Sequence, residues 1–339
     1  MTNPFESGTP SLFFIDSPLQ AICAAAALRQ LHIDDYQMVV MTTDNRQRNM
    51  TITRFLDMQG IGYKTVSYNH FTYKWYQLLC LIRRPHNHYR RLFIGFFGAP
   101  FHHFAGCSMV ADGAHVVYLD DGVATVTLLR HKHITDITYF EEKPVIKLMA
   151  RRRGFDLYHN LLTMYSDIDN PSYRIAPLSL NLVNSKTDGH DGQPRTQGVY
   201  LIGTVSQSYC SQLKISKEEF ASKTGELMAR LKAEYPDETI VYVPHRSDEG
   251  DYARRLCEKY HVEFRPVEIT VEVELQQQPL PPRAVVGFTS SALYNLKKIF
   301  PQCRVSNVLF TPGVYNKPYD DFLAISAYYE KNGIELIKA

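Results

Sequence analysis

Short, mostly apolar runs alternate along this chain with stretches of helical period, and this alternation restricts the fold more than any other feature. Ser11–Asp16 (SLFFID), Tyr36–Thr42, Tyr63–Ser67, Arg91–Gly95 and His115–Leu119 read as strands in the first half. Continuous apolar runs, rather than alternating ones, mark strands covered on both faces, as in parallel sheets with crossover helices. Between them lie helical segments. One opens at Ser17-Pro18-Leu19-Gln20 and continues as AICAAAALRQLH, with Pro18 near its start; another runs from about Arg46 to Gln59 and stops at Gly60. A polar segment follows, Asn184–Gly198 (NSKTDGHDGQPRTQG), without a large apolar residue, and it reads as a linker.

Beyond that linker the pattern restarts. Val199–Gly203, Thr239–Val243, Ala284–Gly287 and Val305–Phe310 read as strands, and Lys217–Tyr235, Asp251–Tyr260 and Ala292–Ile299 as helices. The expected architecture is α/β, with two Rossmann-like domains facing across a cleft. The expected bounds are 1–190 for an N-terminal domain and 198–318 for a C-terminal domain. The tail, 319–339, reads as a helix that returns to the first domain. A length of 339 residues suits two such domains.

Composition removes several classes of function. The net charge is +2, so no global field draws the chain to nucleic acid, and its basic residues are dispersed without a known nucleic-acid motif. The six cysteines show neither CxxC pairing nor zinc spacing, which fits a reducing cytosol. No basic n-region with an apolar core opens the sequence and no apolar run approaches the length of a membrane span, so a cytoplasmic protein without a signal peptide is expected.

In open α/β sheets ligands bind beyond the carboxyl ends of the strands, so the loops after strands are the places to search. Asp120-Asp121-Gly122 follows the strand His115–Leu119. Adjacent carboxylates raise one another's pKa, which suits a general base, although Asp-Gly is also a common turn. Pro244-His245-Arg246 follows Thr239–Val243, where a histidine and an arginine are placed to meet an anion, or to form an ordinary loop. Thr289-Ser290-Ser291 stands between a strand and a helix. Hydroxyls there form an anion site with the helix N-terminus, a plain N-cap, or both.

Taken in order, the acid-acid-Gly motif, the histidine motif and the serine pair resemble those of the bacterial sialyltransferases and polysialyltransferases, which share a GT-B fold. The Ser17-Pro18-Leu19-Gln20 loop is also similar to the start of some members. The resemblance spans most of the chain on motifs of two or three residues each. It implies an inverting, metal-independent transfer of sialic acid, or a related keto-sugar acid, from a CMP-activated donor to a hydroxyl of a surface glycan such as lipooligosaccharide or capsule. It implies Asp120 as the base, with Asp121 as second choice, and His245 as the group that contacts and protonates the departing phosphate. It implies Ser290 and Ser291, with Thr289, as phosphate-binding residues, and Pro244, Arg246 and Gly203 nearby. The family usually places proline directly after the histidine, whereas here Arg246 follows and Pro244 precedes it. No metal or other cofactor is implied; the partners are a nucleotide-sugar donor and a glycan or glycolipid acceptor. Other donors (CMP-Kdo, another nonulosonic acid, a UDP-sugar) remain open, as does a nucleotide- or glycan-binding protein without turnover.

The remaining features are softer. Ser17, Gln20, His102 and His103 follow strands and are expected to line the cleft. Asp167-Ile168-Asp169 has DxD spacing but no strong strand before it, and reads as a turn. His131-Lys132-His133 lacks a third metal partner. Arg83-Arg84, Arg90-Arg91 and Arg151-Arg152-Arg153 read first as solvated helix faces; the functional reading is contact with the inner membrane leaflet or a charged glycan.

Overall fold

In the computed structural model, residues 3–67, 69–82, 88–95, 98, 100–130, 144–180, 197–248 and 251–339 are described. The linker segment 184–196, His131, His133, Arg83 and Arg84 lie outside them. The chain divides into two compact units, residues 1–182 and 183–339.

The first unit holds seven parallel strands in the order β3-β2-β1-β4-β5-β6-β7. They are β1 Ser11–Ile15, β2 Tyr36–Thr42, β3 Tyr63–Ser67, β4 Arg91–Ile94, β5 His115–Tyr118, β6 Asn160–Thr163 and β7 Arg174–Pro177. Helices α1 (Pro18–Gln30), α2 (Arg46–Met58), α3 (His70–Ile82), α4 (Pro100–Met109), α5 (Val123–Arg130) and α6 (Pro144–Arg153) connect or flank them. All five residues of β1 are buried, as a central parallel strand covered on both faces requires. Ser17 caps α1, accepting from the Gln20 N–H at 3.3 Å, and Pro18 begins the helix as the sequence predicts. The sheet runs β1-β2-β3 in one direction and β4-β5 in the other. The β1/β4 boundary is therefore the topological switch point, where the loops after adjacent strands diverge and leave a crevice.

The second unit repeats the plan with six parallel strands, β10-β9-β8-β11-β12-β13. These are β8 Val199–Ile202, β9 Ile240–Val243, β10 Glu263–Phe264, β11 Ala284–Gly287, β12 Arg304–Leu309 and β13 Glu335–Lys338. Its helices are α7 (Ser206–Leu213), α8 (Lys217–Glu234), α9 (Tyr252–Tyr260), α10 (Val271–Gln276), α11 (Ser291–Ile299) and α12 (Lys317–Lys331). Its switch point lies between β8 and β11.

The tail corrects a sequence expectation. It belongs to the second compact unit, residues 183–339. Helix α12 packs on α7, β12 and β13, and β13 pairs in parallel with β12, Ser306 opposite Glu335 through Leu309 opposite Lys338. The apolar residues of the tail are used locally: Ile325, Tyr329 and Ile334 are buried beside the sheet that β13 completes.

One arginine in each of two clusters also departs from the solvated reading. Arg91 is buried, donating to Ser11 Oγ at 3.0 Å and to the Pro4, Glu6 and Thr9 carbonyls. Arg153 is buried too, paired with Asp112 at 2.7 Å and donating to the Cys107 and Val110 carbonyls. A guanidinium with this many acceptors is a staple between segments, and it is not free to meet a membrane or a glycan. Residues 164–167 form turns and Ile168 a bend, in keeping with the turn expected for the DxD-spaced segment.

Candidate active site

The carboxylate motif of the first unit separates into two residues of opposite character. Asp120 stands two residues beyond the end of β5 and is wholly buried. Thr163 Oγ1 donates to one of its oxygens and the Met164 backbone N–H to the other, at 2.7 Å. Both donors come from the end of β6, so Asp120 joins two neighbouring strands. Burial pushes its carboxyl up to about 7, against the hydrogen bonds that hold it down.

Asp121 turns the other way and is only partly buried. Gly122, at a φ of +66°, allows the sharp turn into α5. The Asp121 N–H donates to Thr125 Oγ1 at 3.0 Å, and its carboxylate accepts from Gln20 Nε2 at 3.0 Å. Burial raises its pKa to about 6; Gln20 and Arg48 oppose the rise, and Asp16 adds to it.

Gln20 is the hub of the switch point. It is fully buried, and its Oε1 accepts from the Asp16 N–H at 2.8 Å while its Nε2 holds Asp121. A β-carbon at Gly95, just after β4, would collide with this side chain, so Gly95 is the residue that lets Gln20 cross the crevice. Asp16 is paired with Arg48 at 2.7 Å and lies 3.5 Å from His102 Nε2. The sequence places Ser17, Gln20 and His102 near this site, and the structure brings Gln20 and His102 into it. Ser17 serves as the α1 cap. His103 is a core histidine 2.9 Å from the Tyr118 hydroxyl, so burial replaces its expected lining role. Arg48 and Asp16 are the members that sequence reading missed. An arginine in the first turn of α2, after a strand, was the available signal.

In the second unit, Gly203 ends β8. A β-carbon there would lie 2.5 Å from the Tyr242 hydroxyl and 3.1 Å from the Val243 carbonyl, so only glycine fits against β9. His245 follows β9 and is half-buried. Its Nδ1 accepts from the Ser247 N–H at 3.1 Å, which leaves Nε2 as the protonated, outward nitrogen of the neutral ring. Burial and the neighbouring Arg246 lower its pKa. Pro244 is half-buried and Arg246 exposed.

Thr289-Ser290-Ser291 stands beyond β11. Thr289 has a φ of +38°, a conformation that a β-branched residue adopts only under constraint. Asn307 Oδ1, itself fixed by Nδ2 donation to Ser326 Oγ at 2.8 Å, takes the Thr289 N–H at 2.6 Å. The Thr289 hydroxyl is buried without a hydrogen-bond partner. Ser290 caps α11 by accepting from the Ala292 N–H at 3.2 Å, and Tyr329 Oη donates to the Ser290 carbonyl at 2.9 Å. The tail helix therefore supports this turn from behind through Ser326 and Tyr329. A strained turn, an unsatisfied hydroxyl and a helix N-terminus together suit an oxyanion.

Among the described residues no three His, Cys, Asp or Glu side chains gather as a metal site. No helix of these residues is long and apolar enough to cross a membrane.

Solved structures are similar to this chain in fold. A Listeria monocytogenes protein named as a UDP-N-acetylglucosamine 2-epimerase aligns over 96% of this chain and 90% of its own, with a TM-score of 0.52 at 9% identity. Staphylococcus aureus MnaA in its UDP co-structure aligns over 95% and 89%, with a TM-score of 0.50 at 11% identity. The fold is of the GT-B class. Acinetobacter baumannii MurG aligns over 97% of this chain and 86% of its own, with a TM-score of 0.47 at 8% identity. No protein-family model matches the chain, and no curated protein matches it. Identities this low carry the GT-B fold and leave the chemistry to the residues.

Proposed function

We propose that this GT-B protein is an inverting, metal-independent glycosyltransferase that moves sialic acid or a related keto-sugar acid from a CMP-activated donor to a hydroxyl of a surface glycan. The observation that carries the reading is Asp121, a carboxylate held by Gln20 at the switch point of the first sheet and raised to about 6. That value leaves it ionised at neutral pH yet basic enough to accept a proton as an acceptor hydroxyl becomes nucleophilic. The assignment moves from Asp120, whose two oxygens are occupied inside the core, to Asp121.

In the proposed reaction the acceptor oxygen attacks the anomeric carbon and gives its proton to Asp121. The bond from that carbon to the phosphate oxygen breaks, and CMP departs with the electron pair. Thr289, Ser290, Ser291 and the N-terminus of α11 are assigned to the phosphate, with His245 Nε2 donating to it. Charge that develops on the leaving group is stabilised by dipoles already in place, which is why this reading requires no metal.

A uridine nucleotide is the competing donor, because structures of this fold include proteins named for UDP and UDP-N-acetylglucosamine. Calorimetric titration with CMP, UMP and UDP, without divalent metal, separates the two. CMP binding that Ser290→Ala/Ser291→Ala weakens, followed by donor turnover that Asp121→Asn abolishes, is the expected result. Binding of UDP alone transfers the reading to a UDP-sugar enzyme. Ligand binding without turnover of any donor makes the protein a binding module.

A further inference from the structure

Helix α3 presents a row of large apolar side chains to solvent. Phe71, Trp75, Leu78 and Ile82 are 70%, 50%, 45% and 65% exposed. At 3.6 residues per turn these positions fall within an arc of about 60° and extend about 16 Å along the axis. The helix is seated by a different face: α3 packs along α4, and Tyr76 meets Phe101 edge-on with ring centroids 5.6 Å apart. Phe71 and Trp75 stack edge-to-face at 6.0 Å, so the row is a contiguous patch, not four scattered residues.

The stretch of sequence that carries this helix holds formal charge of one sign. From Met58 to Ala111 the sequence contains Lys64, Lys74, Arg83, Arg84, Arg90 and Arg91 and no Asp or Glu. Of these, Arg91 is consumed in the core, while Lys64, Lys74 and Arg90 are exposed. Lys74 lies beside the apolar row, where its stem can follow the apolar surface and its ammonium can reach outward.

We infer that α3 is a membrane-docking helix that lies flat in the headgroup region of an anionic bilayer. Its apolar row enters the acyl boundary, Trp75 occupies the interface, and Lys74 meets lipid phosphates. Charge selects this occupant. A second copy seated on the same face would bring two helices that carry Lys74 and no carboxylate together, whereas anionic lipid neutralises that charge. The inference does not depend on the transferase reading, since it concerns a surface away from the Asp121 and Ser290 sites in sequence and needs no turnover.

Trp75 is the sole tryptophan of the chain, so its emission reports on this helix alone. The test uses the full-length protein with phosphatidylcholine vesicles, with and without phosphatidylglycerol. The expected result is a blue shift and quenching by brominated lipid that require the anionic lipid and weaken at high salt. The variant Phe71→Ser/Leu78→Ser/Ile82→Ser retains the reporter and should lower the partition coefficient by about tenfold or more. Its circular dichroism and nucleotide binding should match wild type, because all three residues are exposed. An unshifted Trp75 in anionic vesicles overturns the inference, and so does equal partitioning of the triple variant. A blue-shifted emission without lipid, lost together with a wild-type dimer in the variant, would give the face to a second copy instead.

Discussion

The carboxyl edges of the two sheets are built alike and equipped differently. In the first unit the switch point is filled by side chains that bond one another: Asp16, Gln20, Arg48 and Asp121 form a connected polar set. In the second, the turn beyond β11 offers a strained backbone, a hydroxyl without a partner and a helix N-terminus. On the proposed reading, the first edge holds the proton acceptor and the second leaves donors for the phosphate. Similar topology fixes where a ligand can sit, and the side chains decide what each edge can do there.

The sharpest way to break this comparison is to remove the acceptor. Asp121→Asn should lower kcat about a thousandfold while leaving CMP affinity within twofold, about the size of a lost general base. Calorimetry and a donor-turnover assay check both halves, and an equal loss in binding would move Asp121 from proton transfer to donor recognition. Asp120→Ala should act on stability instead. It takes away the acceptor that the Thr163 hydroxyl and the Met164 N–H both donate to, and should cost about 3 kcal/mol, read by urea unfolding. A variant as stable as wild type would end the structural assignment of Asp120.

The two carboxylates also separate by pH. With Asp121 raised to about 6, kcat/KM should fall tenfold per unit as pH drops below that value, because the base becomes protonated. Asp120 predicts the opposite sense for stability. Its folded pKa, about 7, lies above the value of an unfolded chain, so folding favours the protonated acid. The stabilisation it contributes is complete below about pH 4 and is lost as pH rises through about 7. Asp120→Asn, which stays neutral, should flatten that decline in a series of unfolding curves.

The second edge responds more gently. Ser290→Ala removes the α11 cap and should cost about 1 kcal/mol in addition to weaker nucleotide binding. Tyr329→Phe should have the smallest effect, about 1 kcal/mol or less, by releasing the Ser290 carbonyl. A selective loss of nucleotide affinity in this variant would show that the tail helix tunes the turn.

The division between what was legible and what was not follows the range of the interactions. Local pattern determined the strands of both central sheets, the Ser17-Pro18 helix start and the two-domain plan, because apolar runs, caps and breakers act within a few residues. The same local logic placed Asp120, Asp121, His245 and Ser290 in loops after strands, and the structure has them there. Tertiary structure alone decided which of two adjacent aspartates faces the core, since that depends on donors from β6, more than forty residues downstream. It decided that Arg91 and Arg153 are staples and that His103 is core, because a charged or polar residue shows its partners only when distant carbonyls and hydroxyls converge on it. It also decided the fate of the tail: an amphipathic helix reveals that it must bury a face, while the sheet left open beside β12 determined which surface received it.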